Sequence, residues 1–292
     1  MGWQKRGRRA QPGHVRNGRR SLNLSDIGPV VLVGAGKMGL AMARGWIAGG
    51  LPPDQLVLID PKPGEPTVAF AAEHNIRLLE SPIGILTHVM VMAVKPQVMK
   101  EVMAEVQPAV GAQTLVLSIA AGISIQTLSQ GLQTERVVRA MPNTPAQLGK
   151  GISGAVGYHI TETDKLVADA LLSAAGDVLW FEEEGKLDAV TAVSGSGPAY
   201  VFYMVEALAV AAMRQGLEPG QAMQLARQTV VGAAALLEAD SQPASVLREN
   251  VTSPKGTTYA ALQVLMAADG LEPLLDRAVL AARLRSEELG RG

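Results

Sequence analysis

Apolar positions follow two rhythms along the first 185 residues. Short β-branched and aliphatic runs occur at 30–33, 56–60, 88–94, 115–120 and 136–140. Between them, apolar residues recur at helical spacing at 40–47, 67–75, 98–106 and 125–132. Short apolar runs bounded by turn residues read as buried strands, and spacings of three and four as amphipathic helices. Strands that alternate with helices predict a parallel, doubly wound sheet. Two more strands, at 152–158 and 177–181, flank a helix at 162–175 and extend that sheet. From Leu187 onward only helical periodicity remains, at 199–213, 219–239, 244–250, 257–268 and 272–289. The expected fold class is α/β: an N-terminal doubly wound sheet followed by an all-α C-terminal region. The expected division is a disordered basic tail at 1–26, a dinucleotide-binding domain at 27–185 and a helical domain at 186–292.

The segment 199–213 carries a single charge, Glu206. It is shorter than the roughly 18–20 apolar residues of a membrane span. A helix apolar all round must be buried, and so small a helical domain cannot cover it alone. A subunit interface is the expected cover. The chain has 292 residues, 48% of them hydrophobic, which suits two domains with a sizeable core. It has no cysteine, which excludes disulfides and thiolate metal sites. Its four histidines, His14, His74, His88 and His159, lack metal-ligand spacing. The formal net charge of −1 hides an asymmetry. Residues 1–25 hold seven basic residues and no acid, leaving 19 basic against 27 acidic residues in the body, a net −8. An acidic body argues against nucleic acid as a partner. The tail lacks the apolar core of a secretory signal, so a cytoplasmic chain is expected.

Val30–Val33 run straight into Gly34-Ala35-Gly36-Lys37-Met38-Gly39, and a helical pattern follows at once. That order of strand, glycine turn and helix cradles a pyrophosphate on backbone N–H groups. Gly34 permits the turn, Gly36 lets the backbone approach the phosphates, and Gly39 lets helix pack on strand. Asp60 ends the second strand 21 residues after Gly39, where an acid takes the ribose hydroxyl of NAD. Lys62 stands two residues on and suits the 2′-phosphate of NADP, so the two residues leave the choice of nicotinamide open. Three more loops are candidates. Ala93-Val94-Lys95-Pro96 closes a strand, and the proline forces Lys95 into an extended conformation. Ser194-Gly195-Ser196-Gly197-Pro198 reads either as a helix cap with proline in the first turn or as a small-residue site admitting a flat ring. Asn250-Val251-Thr252-Ser253-Pro254-Lys255-Gly256-Thr257-Thr258 gathers hydroxyls, glycine and free N–H groups at a helix N-terminus, which favours an anion. No Ser-His-Asp set or paired-carboxylate signature is present, so the chemistry expected is hydride transfer by the cofactor itself. A hydroxyacid dehydrogenase would want a lysine or histidine on 199–213, and there is none.

Five motifs stand in order: Val33–Gly39, Ala93–Pro96, Arg139-Ala-Met-Pro-Asn-Thr-Pro145, Thr191-Ala-Val-Ser-Gly-Ser-Gly-Pro198 and Val251–Thr258. Together they resemble pyrroline-5-carboxylate reductase, over about residues 29–289. The resemblance implies reduction of 1-pyrroline-5-carboxylate to L-proline, the last step of proline biosynthesis, by NADPH or, in some members, NADH. It implies a Rossmann domain and a helical domain that builds an intertwined homodimer, often in a ring of dimers. By motif position, the cofactor touches Val33, Gly34, Ala35, Gly36, Lys37, Met38, Gly39, Asp60, Lys62, Ala93, Val94, Lys95, Pro96, Ile119, Ala120, Ala121 and Asn250. The substrate carboxylate meets the N–H groups around Gly256, Thr257 and Thr258, with Ser253 and Asn250 beside them and Glu184 as a further candidate. The Thr258 hydroxyl bonds the ring nitrogen as the catalytic group. Two residues depart from the pattern. Lys255 stands where the family usually has glycine, at a steric cost if the turn needs positive φ. Asp60 stands where NADPH-preferring members often carry a small hydroxyl residue.

Overall fold

The computed structural model describes residues 22–82, 84–85 and 87–290. The first half runs β1 (Val30–Val33), α1 (Lys37–Ala48), β2 (Leu56–Ile59), α2 (Glu65–His74), β3 (Arg77–Leu79), β4 (Val89–Met92), α3 (Met99–Val106), β5 (Leu115–Ser118), α4 (Ile125–Leu132), β6 (Val137–Met141), β7 (Gly151–Tyr158), α5 (Glu162–Ser173) and β8 (Gly176–Trp180). These form one eight-stranded sheet in the order β3-β2-β1-β4-β5-β6-β7-β8. Strands β1 to β6 run parallel, and the order reverses direction between β1 and β4. That reversal opens a crevice at the carboxyl edge where ligands bind.

Two features depart from the expected sheet. β3 is an additional strand, only three residues long and at most half-buried. It sits at the sheet's edge, where one neighbour suffices, so its sequence carries no long apolar run. β7 pairs antiparallel with β6, not parallel. The chain between them holds only a 3-10 turn, Thr144–Leu148. A parallel return needs a crossover of about a dozen residues or more, so this short link reverses the strand. β8 follows α5 and pairs parallel with β7.

Alternate residues of each strand feed two cores, as the period of two demands. Val30, Leu32, Leu56, Leu58, Val89 and Val91 face α1, α2 and α5. Val31, Val33, Val57, Ile59, Met90 and Met92 face α3 and α4. Trp46 of α1 is fully buried, and its Nε1–H donates to the Leu171 carbonyl of α5 at 2.8 Å. The packed body begins before residue 27, because Leu24 lies in a 3-10 turn (Leu24–Asp26) and is buried in the first core. The rest of the expected tail, residues 1–21, lies outside the described residues.

The second half comprises α6 (Lys186–Val190), a π-helical turn (Thr191–Gly195), α7 (Gly197–Arg214), α8 (Pro219–Ala239), α9 (Ala244–Asn250), α10 (Thr257–Leu265) and α11 (Leu271–Gly290). α7 and α8 meet through small residues, Ala209, Ala222 and Ala226. Phe202 and Tyr203 of α7 are 65% and 70% exposed. The continuous helical stretch 186–214 is long and apolar enough to cross a membrane by length and composition, and only 6% of its apolar window is buried within the chain. So large an apolar face marks an interaction surface. α11 turns back onto α6, where the Ser286 hydroxyl donates to Asp188 Oδ1 at 2.7 Å. Lys150, just before β7, pairs with Glu238 of α8.

Candidate functional site

The crevice residues converge as expected. Strands β1, β4 and β5 extend their ladders one residue past their ends: Gly34 N–H donates to Ile59 O, Ala93 N–H to Val33 O and Ile119 N–H to Met92 O. This sets Gly34, Asp60, Ala93 and Ile119–Ala121 side by side at one edge. Gly34 has φ +89°, and a Cβ there would meet Ala93 and Val94. A Cβ on Gly39 would run into the Gly34 carbonyl oxygen, so the helix rests directly on the turn. A Cβ on Gly36 would meet nothing within 4 Å. Gly36 is the N-cap of the 12-residue α1, and no side chain caps it. Open space therefore lies over a bare helix N-terminus, which favours an anion. These residues fit a dinucleotide pyrophosphate.

Asp60 braces the turn. Its Oδ2 accepts Ala35 N–H at 3.1 Å and its Oδ1 accepts Lys62 N–H at 3.0 Å. The buried Thr67 hydroxyl, from α2, donates to the Ala35 carbonyl at 2.7 Å. Ala35 is thus held from both sides, and Lys62 is exposed beside the carboxylate. Lys95 is extended (φ −65°, ψ 145°) before a 3-10 turn, as the following proline requires.

Glu184 has partners within the chain. Its Oε1 accepts Arg139 Nη1 at 2.6 Å and the Ile125 N–H of α4 at 2.8 Å. It ties β6 to a helix start and lines a cavity of about 530 Å³ with Ser124, Arg139, Lys186, Arg283 and Glu287. Arg139 has a role here that residue type alone did not reveal, although its motif was visible in the sequence. The cap reading of Ser194–Pro198 holds for the helix start and is corrected for the serine cap. α7 does begin at Gly197 with Pro198 in its first turn, but it follows a π-turn directly, because Ser196 N–H donates to Thr191 O at 2.8 Å in an i to i−5 bond. Ser196 makes no side-chain cap, and the Ser194 hydroxyl bonds back to Val190 O. A π-turn of this kind frequently marks a functional site.

Among the described residues the hydroxyl-rich bend makes no hydrogen bond to the crevice. Asn250, Ser253 and Thr257 are exposed, Gly256 and Thr258 half-buried, and neither α9 nor α10 buries a residue. Among the described residues its hydrogen bonds are local, such as Thr252 Oγ1 to Arg248 O and Gly256 N to Ser253 O. Gly256 is the N-cap of α10 without a side-chain cap, so that helix end is also bare. Lys255 has φ +56°, so the turn does require the left-handed region. Within one chain the structure leaves this bend open and does not join it to the glycine crevice.

Two family models match the chain, pyrroline-5-carboxylate reductase dimerisation over residues 184–289 and NADP oxidoreductase coenzyme F420-dependent over residues 29–122. A pyrroline-5-carboxylate reductase from Pseudomonas aeruginosa is 42% identical over 265 residues, covering 89% of this chain and 96% of the relative. The chain belongs to the pyrroline-5-carboxylate reductase family. Solved structures of the family agree. One from Coxiella burnetii has a TM-score of 0.82 at 32% identity, covering 90% of this chain and 99% of that one. One from Plasmodium falciparum, with NADP bound, has a TM-score of 0.75 at 27% identity, covering 91% and 99%. The Rossmann-like sheet and the helical dimerisation region are those of this family, and the exposed α7 face lies within the dimerisation match.

Proposed function

We propose that this chain is a pyrroline-5-carboxylate reductase that reduces 1-pyrroline-5-carboxylate to L-proline with NADPH, the final step of proline biosynthesis. The observation that carries the reading is the pair of bare helix ends, one at Gly36 under open space and one at Gly256 among hydroxyls. The first suits a pyrophosphate and the second a carboxylate. A second copy brings them together: the bend of one subunit closes over the crevice of its partner. The same contact covers the apolar face of 186–214, which serves as a subunit surface and not as a membrane span. The change from sheet to helix after residue 185 then separates a cofactor domain, 27–185, from a dimerisation and substrate domain, 186–292. Dimers of this kind assemble into a ring, and the enzyme works in the cytoplasm.

NADPH supplies the hydride when bound. Val33–Gly39, Ala93–Pro96 and Ile119–Ala121 would hold it, with exposed Lys62 beside the 2′-phosphate. Asn250 of the bend would touch it from the other side. The free N–H groups of Thr257 and Thr258, just past Gly256, seat the substrate carboxylate, and Ser253 lies beside them. The Thr258 hydroxyl bonds the ring nitrogen and steadies its proton, so the imine carbon stays electrophilic. Orientation is then the main contribution of the protein. Asp60 favours a second donor, because a carboxylate at that position also suits the free ribose of NADH.

Initial rates with 1-pyrroline-5-carboxylate and each nicotinamide test the proposal. Turnover with NADPH is expected, with Thr258→Ala lowering kcat/KM by about 100-fold. Absence of turnover with either nicotinamide would overturn it.

A further inference from the structure

Two motifs remain without a task in this reading: Met141–Pro145 at the end of β6, and the π-turn with Ser194–Pro198. They meet at one side chain. Asn143 lies two residues past the carboxyl end of β6 and is 8% exposed. Its Oδ1 accepts the Ile152 N–H of β7 at 2.9 Å, and its Nδ2 donates to the Ser194 carbonyl at 3.2 Å. The second bond has a specific cause. Proline has no N–H, so Pro198 cannot serve the carbonyl four residues before it, which is that of Ser194. A carbonyl shielded from water and left without a partner costs up to about 1–3 kcal/mol, and at the half-buried Ser194 the Asn143 amide supplies the missing donor. Beside this bond, a Cβ on Gly195 would lie 3.1 Å from Met141 Cε, so the π-turn sits tightly on the end of β6. Asp60 marks the ribose of the adenosine half at β2, so the nicotinamide half of a dinucleotide laid across the switch point falls on the β4–β6 side. The small-residue turn Ser194–Gly197 is held at that side.

We infer that Asn143 is a positioning residue for hydride transfer, acting through the π-turn to fix the small-residue wall against which the nicotinamide ring and the imine are aligned. It touches neither reactant. The inference rests on the imine-reductase reading above. Its signature follows from the two bonds. Asn143→Asp keeps an acceptor for Ile152 N–H but turns an acceptor towards the Ser194 carbonyl. Only when that carboxyl takes a proton does it donate again. Burial without a cationic partner raises a carboxyl pKa, which brings this protonation into an accessible pH range.

The experiment measures kcat for wild type and Asn143→Asp from pH 8 down to pH 5.5, with NADPH affinity measured in parallel by quenching of protein fluorescence. At pH 8, kcat of the variant is expected about 10- to 100-fold below wild type, with NADPH affinity within about threefold. The ratio to wild type then climbs at least fivefold as the pH falls. A flat ratio, or an affinity loss as large as the kcat loss, overturns the inference. If Asn143→Asp does not fold, Asn143→Ala and Asn143→Ala/Pro198→Ala replace it. The restored N–H at 198 can serve the Ser194 carbonyl, so kcat of the double variant is expected above that of the single, and equal values overturn the inference. Wild type that turns over beside a flat ratio defeats this inference alone, whereas wild type without turnover defeats the function itself.

Discussion

Lys255 holds φ +56° one residue before the N-cap of α10. An L-residue in this region sets its Cβ against the following carbonyl, at a cost of roughly 1–2 kcal/mol. Glycine avoids that clash but loses more backbone freedom on folding, about 0.5–1 kcal/mol. Lys255→Gly is therefore expected to stabilise the protein by about 0.5–1 kcal/mol. Lys255→Ala keeps the strained Cβ and removes only an exposed amine, so it is expected to leave stability unchanged within about 0.5 kcal/mol. A domain of 150–250 residues shifts by about 2–4 °C per kcal/mol, so thermal melts at one fixed protein concentration should show Lys255→Gly above wild type by about 1–4 °C. Hydrogen exchange localises the gain, with slower exchange expected for the first turn of α10. The same variants report on charge. If the ammonium assists the substrate carboxylate, KM for 1-pyrroline-5-carboxylate rises equally in both. Lys255→Gly melting at or below Lys255→Ala would refute the strain argument.

Gly39→Ala drives a methyl group into the Gly34 carbonyl, so NADPH affinity should fall by at least tenfold in fluorescence titration, with stability lower by about 1–3 kcal/mol. Ser173 has a buried hydroxyl oxygen with no hydrogen-bond partner among the described residues, so Ser173→Ala should raise stability by about 1 kcal/mol in urea unfolding. Burial pushes the Asp164 carboxyl up, but hydrogen bonds from Arg136 and from Thr161 outweigh it and hold its pKa below the ordinary value. A depressed folded pKa gives stability that is present above the unfolded pKa and is lost as pH falls through the folded value. Asp164→Asn should therefore lose most stability near neutral pH and converge with wild type in acid, as urea midpoints from pH 7 to pH 3 would show.

Much of the sheet was legible because parallel central strands are buried on both faces and must read as continuous apolar runs. Val30–Val33, Leu56–Ile59 and Val89–Met92 are wholly buried, and all three lie inside runs visible in the sequence. β3 escaped because Arg77-Leu78-Leu79 is an edge strand with a single neighbour and half-exposed side chains. The direction of β7 escaped because alternation reports burial and not orientation; only the shortness of the 3-10 link after Met141 announced it. The glycine crevice could be read because backbone sterics leave few alternatives at Gly34 and Gly39. The double duty of Asp60 could not, since an acid at that position looks the same whether it faces a ribose or braces Ala35. At Ser194–Pro198 the helix start was legible but the π-turn before it was not, since serine, glycine and proline favour a helix start and equally fit a π-turn whose freed carbonyl is served by a distant asparagine.

The central claim is that the crevice of one subunit works with the bend of another. Co-expression of Gly39→Ala with Thr258→Ala, each carrying a different affinity tag, yields mixed dimers that can be isolated by sequential capture. Assayed at NADPH far below the Kd of the Gly39→Ala crevice, each homodimer is expected to be nearly inactive. In the mixed dimer, one site collects both substitutions and the other none, so NADPH oxidation with 1-pyrroline-5-carboxylate should recover to about half the wild-type rate per dimer. A mixed dimer no more active than the two homodimers would show that each chain builds its site alone, and would contradict the account.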